Sequence, residues 1–177
     1  MDLPAGDFEQ FVRESATGLL HMAVLLTGDV TAGEDLLQAT LEKVYARWSV
    51  GHPPDNPDAY TRKAMVHAAR RLWRRRSADR EFLVSEPPET AMGYDDAAGG
   101  ALLRVALLHV IGTLPLRQRA VIALRYLEDR SEAETASILG CSVGTVKTHA
   151  HRALRRLRQE PMLAGYLLPV ADPVLEA

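Results

Sequence analysis

The chain has little of what marks several common protein classes. Of its 177 residues a single one, Cys141, is a cysteine, which excludes an internal disulfide and argues against a cysteine-based zinc site. Its longest apolar stretch, Leu19 to Leu26, is far shorter than the roughly 20 residues that span a bilayer, so no membrane helix is expected. The acidic start MDLPAGDFEQ lacks the basic residues and cleavage site of a secretory signal, and we expect a cytoplasmic protein.

Patterns that carry catalysis are also missing. The sequence contains no glycine-rich phosphate loop, no GxSxG motif and no arrangement of paired carboxylates. Its six histidines are scattered, and the only close pair, His149 and His151, lies at a helical spacing that points the two rings apart. We therefore expect no metal site, no cofactor and no enzymatic activity.

The net charge of −2 conceals a strong segregation of charge along the chain. Residues 62–80 hold eight basic side chains, Arg62 among them, against one acid, and residues 142–158 hold five bases and no acid. Residues 81–100 hold five acids and no base. Two separate basic segments indicate a polyanion that is contacted at two places, whereas one basic run would indicate only a solvated surface.

Apolar residues recur at helical spacing almost throughout, and strand patterns are nearly absent, so the predicted fold is all-α. Between the helical segments, residues 81–100 are acidic, rich in proline and glycine, and without periodicity. The sequence predicts two small helical domains, 1–80 and 101–160, joined by this acidic flexible linker at 81–100. Residues 161–177 are expected to form a loosely ordered tail.

Capping signals set the predicted helix ends. Gly28 should end the first helix, Thr31 and Glu34 fit a capping box for the second, and Asn56 precedes a first-turn proline in the third. In the second domain a helical pattern pauses at Leu114-Pro115 and resumes to about Glu128. The predicted helices of the first domain run over about 7–27, 31–48 and 57–77.

The segment SEAETASILGCSVGTVKTHAHRALRRLR has the layout of a helix-turn-helix. Ser131 and Glu134 form a capping box, Ala136 is the small residue at the helix crossing, Gly140 takes the turn and Val146 anchors the second helix. An apolar stripe of Val146, Ala150, Ala153, Leu154 and Leu157 faces inward. The opposite face consists of Lys147, Thr148, His151, Arg152 and Arg155, which suits the major groove of DNA.

This motif leaves two alternatives open. A solvated amphipathic helix of a bundle would show a similar pattern, and SVGTVKTHAHRAL also resembles the DNA-binding domain of LuxR-type regulators, which are not polymerase subunits. Such a regulator would need a receiver or ligand domain, whereas residues 1–80 show no alternation of strands and helices. Beyond these two alternatives, a helical enzyme or adaptor would be a third class of protein. The sequence offers no arrangement of catalytic residues for such an enzyme.

The upstream helices favour one family. GEDLLQATLEKVYARW, with a predicted buried stripe of Leu37, Leu41, Val44 and Trp48, closely resembles the polymerase-binding helix of extracytoplasmic-function (ECF) RNA polymerase sigma factors. NPDAYTRKAMVHAARRLWRRR resembles the promoter-melting helix of the same group. The resemblance covers residues 8–159 and is closest to the short actinobacterial sigma-E-like subgroup. The family motifs follow each other in the expected order.

The resemblance implies a transcription initiation factor that binds core RNA polymerase and promoter DNA. It implies that the first domain binds the clamp helices of the largest polymerase subunit through Asp35, Gln38 and Glu42, and that the second binds the flap of the second-largest subunit and reads the minus-thirty-five element. An anti-sigma factor is a further candidate partner, because family members are often held by one. The face implied to open the minus-ten element consists of Lys63, His67, Arg70, Arg71 and Arg74, with Met65, Ala68, Ala69 and Leu72 opposite.

One position departs from the family pattern. His67 stands where the family commonly has asparagine in the base-capturing region. Asparagine offers a donor and an acceptor together, while imidazole offers them in a different geometry. We therefore expect a minus-ten preference that differs from that of relatives.

Overall fold

The structure is a computed structural model that describes residues 5–79 and 98–164. The described residues form helices and connecting turns without any strand, which confirms the all-α prediction. The predicted linker falls mostly on residues 80–97, outside the described part, although α4 already begins at Ala98. The helices are α1 (Ala5–Thr27), α2 (Val30–Ser49), α3 (Pro57–Asp79), α4 (Ala98–Thr113), α5 (Leu116–Ile122), α6 (Glu132–Leu139), α7 (Val143–Arg158) and α8 (Pro161–Ala164).

The junction between α1 and α2 departs in part from the predicted capping. Gly28 ends α1 as expected, with a φ of 79° that favours glycine and its N–H donating to Val24 O at 2.7 Å. The capping box predicted at Thr31 and Glu34 is wrong. Asp29 caps α2 instead, accepting from the Ala32 N–H at 2.7 Å, because its carboxylate is a stronger acceptor than a hydroxyl.

Helix α2 packs against α1 through a different stripe from the one predicted. Val44 and Trp48 are buried as expected, but Leu37 and Leu41 are only half-buried. The buried stripe is completed by Gly33, Leu36 and Thr40. Thr40 fits this apolar face because its hydroxyl donates to Leu36 O at 2.7 Å, which satisfies the polar atom within the helix.

Helix α3 begins as predicted. The Asn56 side chain accepts from the Ala59 N–H at 2.9 Å and caps the helix. Met65 and Ala69 are buried against α1, but Leu72, predicted on the same apolar face, is 37% exposed. The buried side of α3 is therefore narrower than the predicted apolar face.

The second region contains an irregular turn that periodicity did not reveal. Pro115 separates α4 from α5, as predicted. The helix expected to continue to Glu128 stops at Ile122 and gives way to a π turn, Ala123–Leu127. In this turn the Glu128 N–H donates to Ala123 O, five residues back, at 3.0 Å. Such turns contain an extra residue and occur often at functional positions.

The helix-turn-helix is built as the sequence indicated. Ser131 and Glu134 form the predicted capping box, and the hydrogen bonds from the Ser131 side chain and backbone lower the pKa of the Glu134 carboxyl. Gly140 adopts a left-handed φ of 61° at the turn. Ala136 and Val146 are buried together at the helix crossing. The motif therefore holds α7 rigidly across α6.

One apolar core runs through both helical regions. Leu19 of α1, Met65 of α3, Ile122 of α5, Ile138 of α6 and Ala153 of α7 belong to the same buried cluster. The predicted tail begins later than expected, because Pro161–Ala164 form α8 and Leu163 is 1% exposed against Ala106 and Val110. Residues 165–177 lie outside the described part.

Candidate nucleic-acid interface

Helix α7 presents a cationic face to solvent. The Ser142 side chain caps its first turn by accepting from the Thr145 N–H at 3.1 Å. Val146 and Ala153 anchor the opposite face in the core, while Ala150, Leu154 and Leu157 are half-buried. Burial of this stripe turns the polar side chains outward. The exposed residues on this helix include all five predicted DNA contacts: Lys147, Thr148, His151, Arg152 and Arg155.

Two of these side chains already have partners within the protein. Lys147 Nζ lies 3.6 Å from Glu132 Oε2, an exposed ion pair that costs little to exchange for a phosphate. The Thr148 hydroxyl donates to Gly144 O at 2.9 Å and keeps free lone pairs with which to accept. The face is thus accessible and mostly cationic.

Helix α3 presents the second cationic face. Its predicted minus-ten residues are all exposed: Lys63, His67, Arg70, Arg71 and Arg74. One member of the basic segment is not part of this surface. Arg62 is 4% exposed and is held by Asp58 and Glu128, so it contributes to the charge of residues 62–80 but not to their exposed cationic face. Glu128, the second acidic partner of Arg62, lies 66 residues further along the chain, so the charge balance of a short segment could not reveal this pair.

An open cleft lies between α2 and α3, next to this basic face. Its volume is about 280 Å³, and Tyr60 forms one wall, with the Arg47 guanidinium carbon 5.1 Å from the ring centroid. An aromatic ring among cations is a common platform for an unstacked base and its phosphate. The cleft is lined by Thr40, Lys43, Tyr60, Lys63, Ala64, His67, Ala68 and Arg71.

The sequence analysis missed Lys43 and Tyr60 as members of this site. Tyr60 could have been found, because it precedes Lys63 and His67 by three and seven residues, the spacing of one helix face. Lys43 gives no such signal. It reaches the cleft only because α2 packs beside α3, a tertiary relationship.

The polar face of α2 is a third exposed surface. Asp35, Gln38 and Glu42 are all exposed, and the Gln38 amide donates to Glu42 Oε1 at 3.3 Å. The bond holds two side chains one helical turn apart in a shared orientation. This face is acidic and so is unsuited to a nucleic acid.

The two neighbouring histidines of α7 occupy different environments, as their spacing predicts. His151 is exposed, while His149 is half-buried with Nδ1 enclosed and without a hydrogen-bond partner in the described structure. Burial, with Arg117 and Arg152 nearby, lowers the pKa of His149 below its usual range. His149 lines a cavity of about 50 Å³ between the two regions, opposite His67 and Arg70.

Three further features are absent from the described residues. Across residues 5–79 and 98–164, no group of three or more histidine, cysteine or acidic side chains is arranged to hold a metal ion. No helix in that part of the chain is both long and apolar enough to cross a bilayer. Residues 5–79 form only helices and turns, without the strands of a receiver domain.

Comparison with known proteins agrees with this architecture. A family model described as sigma-70, region 4 matches residues 104–157, which contain the helix-turn-helix. The chain is 40% identical over 154 residues to the RNA polymerase sigma-E factor of Streptomyces coelicolor, covering 87% of this chain and 85% of that protein. It is 31% identical over 150 residues to the ECF RNA polymerase sigma factor SigL of Mycobacterium tuberculosis, covering 82% and 83%.

A solved structure shows the same fold. The sigma factor RpoE from Bartonella quintana, crystallised with the anti-sigma factor NepR, superposes with a TM-score of 0.72 at 25% identity, covering 89% of this chain and 97% of that one. Together with the relatives that match along most of their length, this fold and the region 4 match show that the chain belongs to the ECF group of RNA polymerase sigma factors.

Proposed function

We propose that the two helical regions of the chain have separate roles in transcription initiation. Residues 1–80 bind core RNA polymerase through the α2 face of Asp35, Gln38 and Glu42, which meets the clamp helices of the largest subunit. The basic face of α3 then opens the minus-ten element. Residues 101–160 bind the flap of the second-largest subunit and read the minus-thirty-five element with α7. The protein is regulatory rather than catalytic, and it acts in the cytoplasm with the polymerase.

The pair of exposed cationic faces on α3 and α7 carries this proposal. Two such faces on separate helical regions suit two separate DNA elements, since each can neutralise its own set of phosphates. The acidic face of α2 suits a protein partner instead. A regulator that only binds DNA does not require such a face.

The cleft between α2 and α3 supports a role in strand opening. His67 and Lys63 line it beside Tyr60, so an extruded base can stack on the ring while cations hold its backbone. His67 then contacts the edge of that base. Its geometry differs from that of the family's usual asparagine, which gives the protein its own minus-ten preference.

Reconstituted transcription tests the proposal. Core polymerase is given the purified chain and a linear promoter fragment, with full-length transcript as the readout. We expect transcription that core alone does not start, and a loss of transcription when the minus-thirty-five element is scrambled. A chain that binds the fragment tightly but never starts transcription would be a DNA-binding regulator instead.

A further inference from the structure

A small cavity next to α3, α5 and α7 is lined by basic side chains. Its volume is about 50 Å³, which is enough for a few water molecules or one small anion. Of the described residues that line it, none is acidic. Like charges in one cavity repel each other unless a counter-ion lies among them. The basic and titratable nitrogen groups belong to His67 and Arg70 of α3, Arg117 of α5 and His149 of α7.

Arg117 lacks the partners that satisfy its neighbour on α5. Arg119, two residues later, is 1% exposed and donates to Leu26 O at 3.1 Å and to Leu114 O at 2.8 Å. Within the described residues, neither Arg117 nor Arg70 has a hydrogen bond or an ion pair. Each guanidinium carries five N–H donors in a planar fork, which suits the oxygens of a phosphate or a sulfate. Both donor sets are therefore available for a ligand.

His149 contributes a less exposed group to the same cavity. The residue is half-buried, and its Nδ1 is enclosed without a hydrogen-bond partner in the described structure. Buried polar atoms normally have a partner, so an exception calls for a water, an ion or a ligand. Burial, and then the nearby Arg117 and Arg152, lower the pKa of His149. An anion in the cavity would offset that repulsion and favour the protonated ring, which donates from both nitrogens.

The rest of the cavity wall limits the size and the class of the ligand. Val66 of α3, Leu116 of α5 and Leu139 of α6 line it with apolar side chains. Beside such groups the effective dielectric constant is lower than in water, so an ion interacts more strongly with the charges around it. Sites for larger organic ligands enclose roughly 300 Å³ or more, so the ligand that fits here is a small inorganic ion.

We propose that this cavity binds one small oxyanion of the phosphate class. Arg70 and Arg117 donate to its oxygens from opposite helices, and the His149 ring donates to it once protonated. Binding therefore takes up a proton on the protein. This site goes beyond the proposed function, because it requires neither polymerase nor DNA.

Histidine ring signals of the free chain test the proposal. The chain carries nitrogen-15 histidine and is titrated with inorganic phosphate, while potassium glutamate, whose anion is too large for the cavity, keeps the ionic strength constant. The His149 signals, assigned by their loss in His149→Gln, should shift and saturate. Those of His151, exposed on the outer face of α7, should shift little. Chloride should need at least about tenfold higher concentration, since it offers no pair of oxygens to a guanidinium fork.

Two variants locate the oxyanion. Arg117→Gln and Arg70→Gln each remove one guanidinium, and either should weaken phosphate binding about tenfold or more. Arg156→Gln is the matched control, because it removes the same charge from an exposed position on α7 that does not line the cavity. Without phosphate, Arg117→Gln should also raise the pKa of His149, because a neighbouring positive charge is gone. Unchanged far-ultraviolet circular dichroism should confirm that each variant is folded.

Sulfate titrations at several pH values test the proton uptake. Sulfate keeps both of its charges from about pH 7 to about pH 5.5, so a change in affinity over this range comes from the protein. Affinity should rise as the pH falls, and His149→Gln should reduce this rise. The other groups around the His149 ring are His67, Arg70, Arg117, Arg152 and the Cys141 thiol. Of these, His67 is the one that also titrates in this range, so His67→Gln is measured in parallel.

Several results would overturn the proposal. Equal shifts at His149 and His151, or equal weakening by Arg117→Gln and Arg156→Gln, would show only a diffuse attraction to the basic surface. Adenosine monophosphate carries the same phosphate on a group too large for the cavity, so an affinity equal to that of phosphate would place the ligand outside. A His149 pKa that ignores Arg117→Gln, or a sulfate affinity that ignores pH, would also contradict it. All these measurements use the free chain, so a failure of the proposed role in transcription would leave them unaffected.

Discussion

Gly33 of α2 lies against Val24 of α1 without room for a side chain. A Cβ at Gly33 would stand 2.8 Å from Val24 Cγ2 and 2.9 Å from its Cα and its N. Backbone atoms cannot move aside, so Gly33→Ala should force the helices apart and lower the free energy of unfolding by about 1–3 kcal/mol. Urea denaturation measures the loss.

Gly112→Ala provides the control for that measurement. A Cβ there would meet nothing within 4 Å, and the residue lies in α4. Alanine should leave stability unchanged or raise it by up to about 1 kcal/mol through helix propensity. Equal losses of unfolding free energy in Gly33→Ala and Gly112→Ala would show that the close approach of Gly33 to Val24 is unimportant.

The α2 face should be required for binding core polymerase. Asp35→Ala combined with Gln38→Ala removes a charge and an amide from an exposed surface without touching the core. We expect core affinity to fall about tenfold, or about 1.4 kcal/mol, in a fluorescence titration with unchanged thermal stability. Glu34→Ala, an exposed acid one residue earlier on the helix, should bind normally; an unchanged double variant would remove this face from the interface.

Base reading and phosphate contact should separate along α7. Arg152→Ala should cost roughly 1–3 kcal/mol of discrimination at one position of the upstream element. Arg155→Ala should weaken binding to all sequences alike and reduce the salt dependence. Binding affinities for a set of point-mutated duplexes distinguish the effect of Arg152→Ala from that of Arg155→Ala. Arg13→Ala, at an exposed position on α1, removes the same charge and serves as the control. Arg152 is not a reader if its variant keeps the parent's preferences.

His67 should influence promoter opening more than the fold. It is exposed and lines the cleft beside Tyr60 and Lys63. His67→Asn should shift the preferred minus-ten base, and His67→Ala should weaken opening, in permanganate footprints across minus-ten variants. Both variants should unfold like the parent. Identical footprints for all three proteins would make His67 an ordinary surface residue.

His149 should make stability depend on pH. Burial lowers its folded-state pKa, while the unfolded chain protonates near the ordinary value of 6.5, so the unfolded state binds more protons below that pH. Stability should therefore fall as pH drops from about 6.5 toward the lower folded pKa, and His149→Gln should reduce this slope. Thermal unfolding from pH 7 to 5 measures it, with His151→Gln expected to follow the parent.

Local features of the fold could be predicted, whereas long-range polar contacts could not. Gly28, Gly140 and the Ser131 capping box interact with residues less than two helical turns away, so the adjacent sequence is sufficient to identify them. The carbonyl that Arg119 reaches in α1 is 93 residues away. Nothing adjacent to Arg119 distinguishes it from a solvated arginine, and only the assembled helices bury it.

The same distinction between local and long-range features applies to the candidate site. Helical spacing grouped the exposed cations of α3 and α7 correctly by face, because a regular helix fixes which side chains share a side. It could not show that Lys43 of α2 joins the α3 cleft, nor that Arg62 leaves the surface. Both outcomes depend on which helices become neighbours.

The π turn at Ala123–Leu127 constrains the number of residues that the chain can have in this segment. A deletion of one residue within it would restore an ordinary α-helix, so the local backbone would lose nothing. Glu128, the residue directly after the turn, would however be displaced by about 100° about the helix axis, the angle per residue of an α-helix. Glu128 would then point away from Arg62. In descendants of this sequence, substitutions inside the turn should accumulate more readily than insertions or deletions.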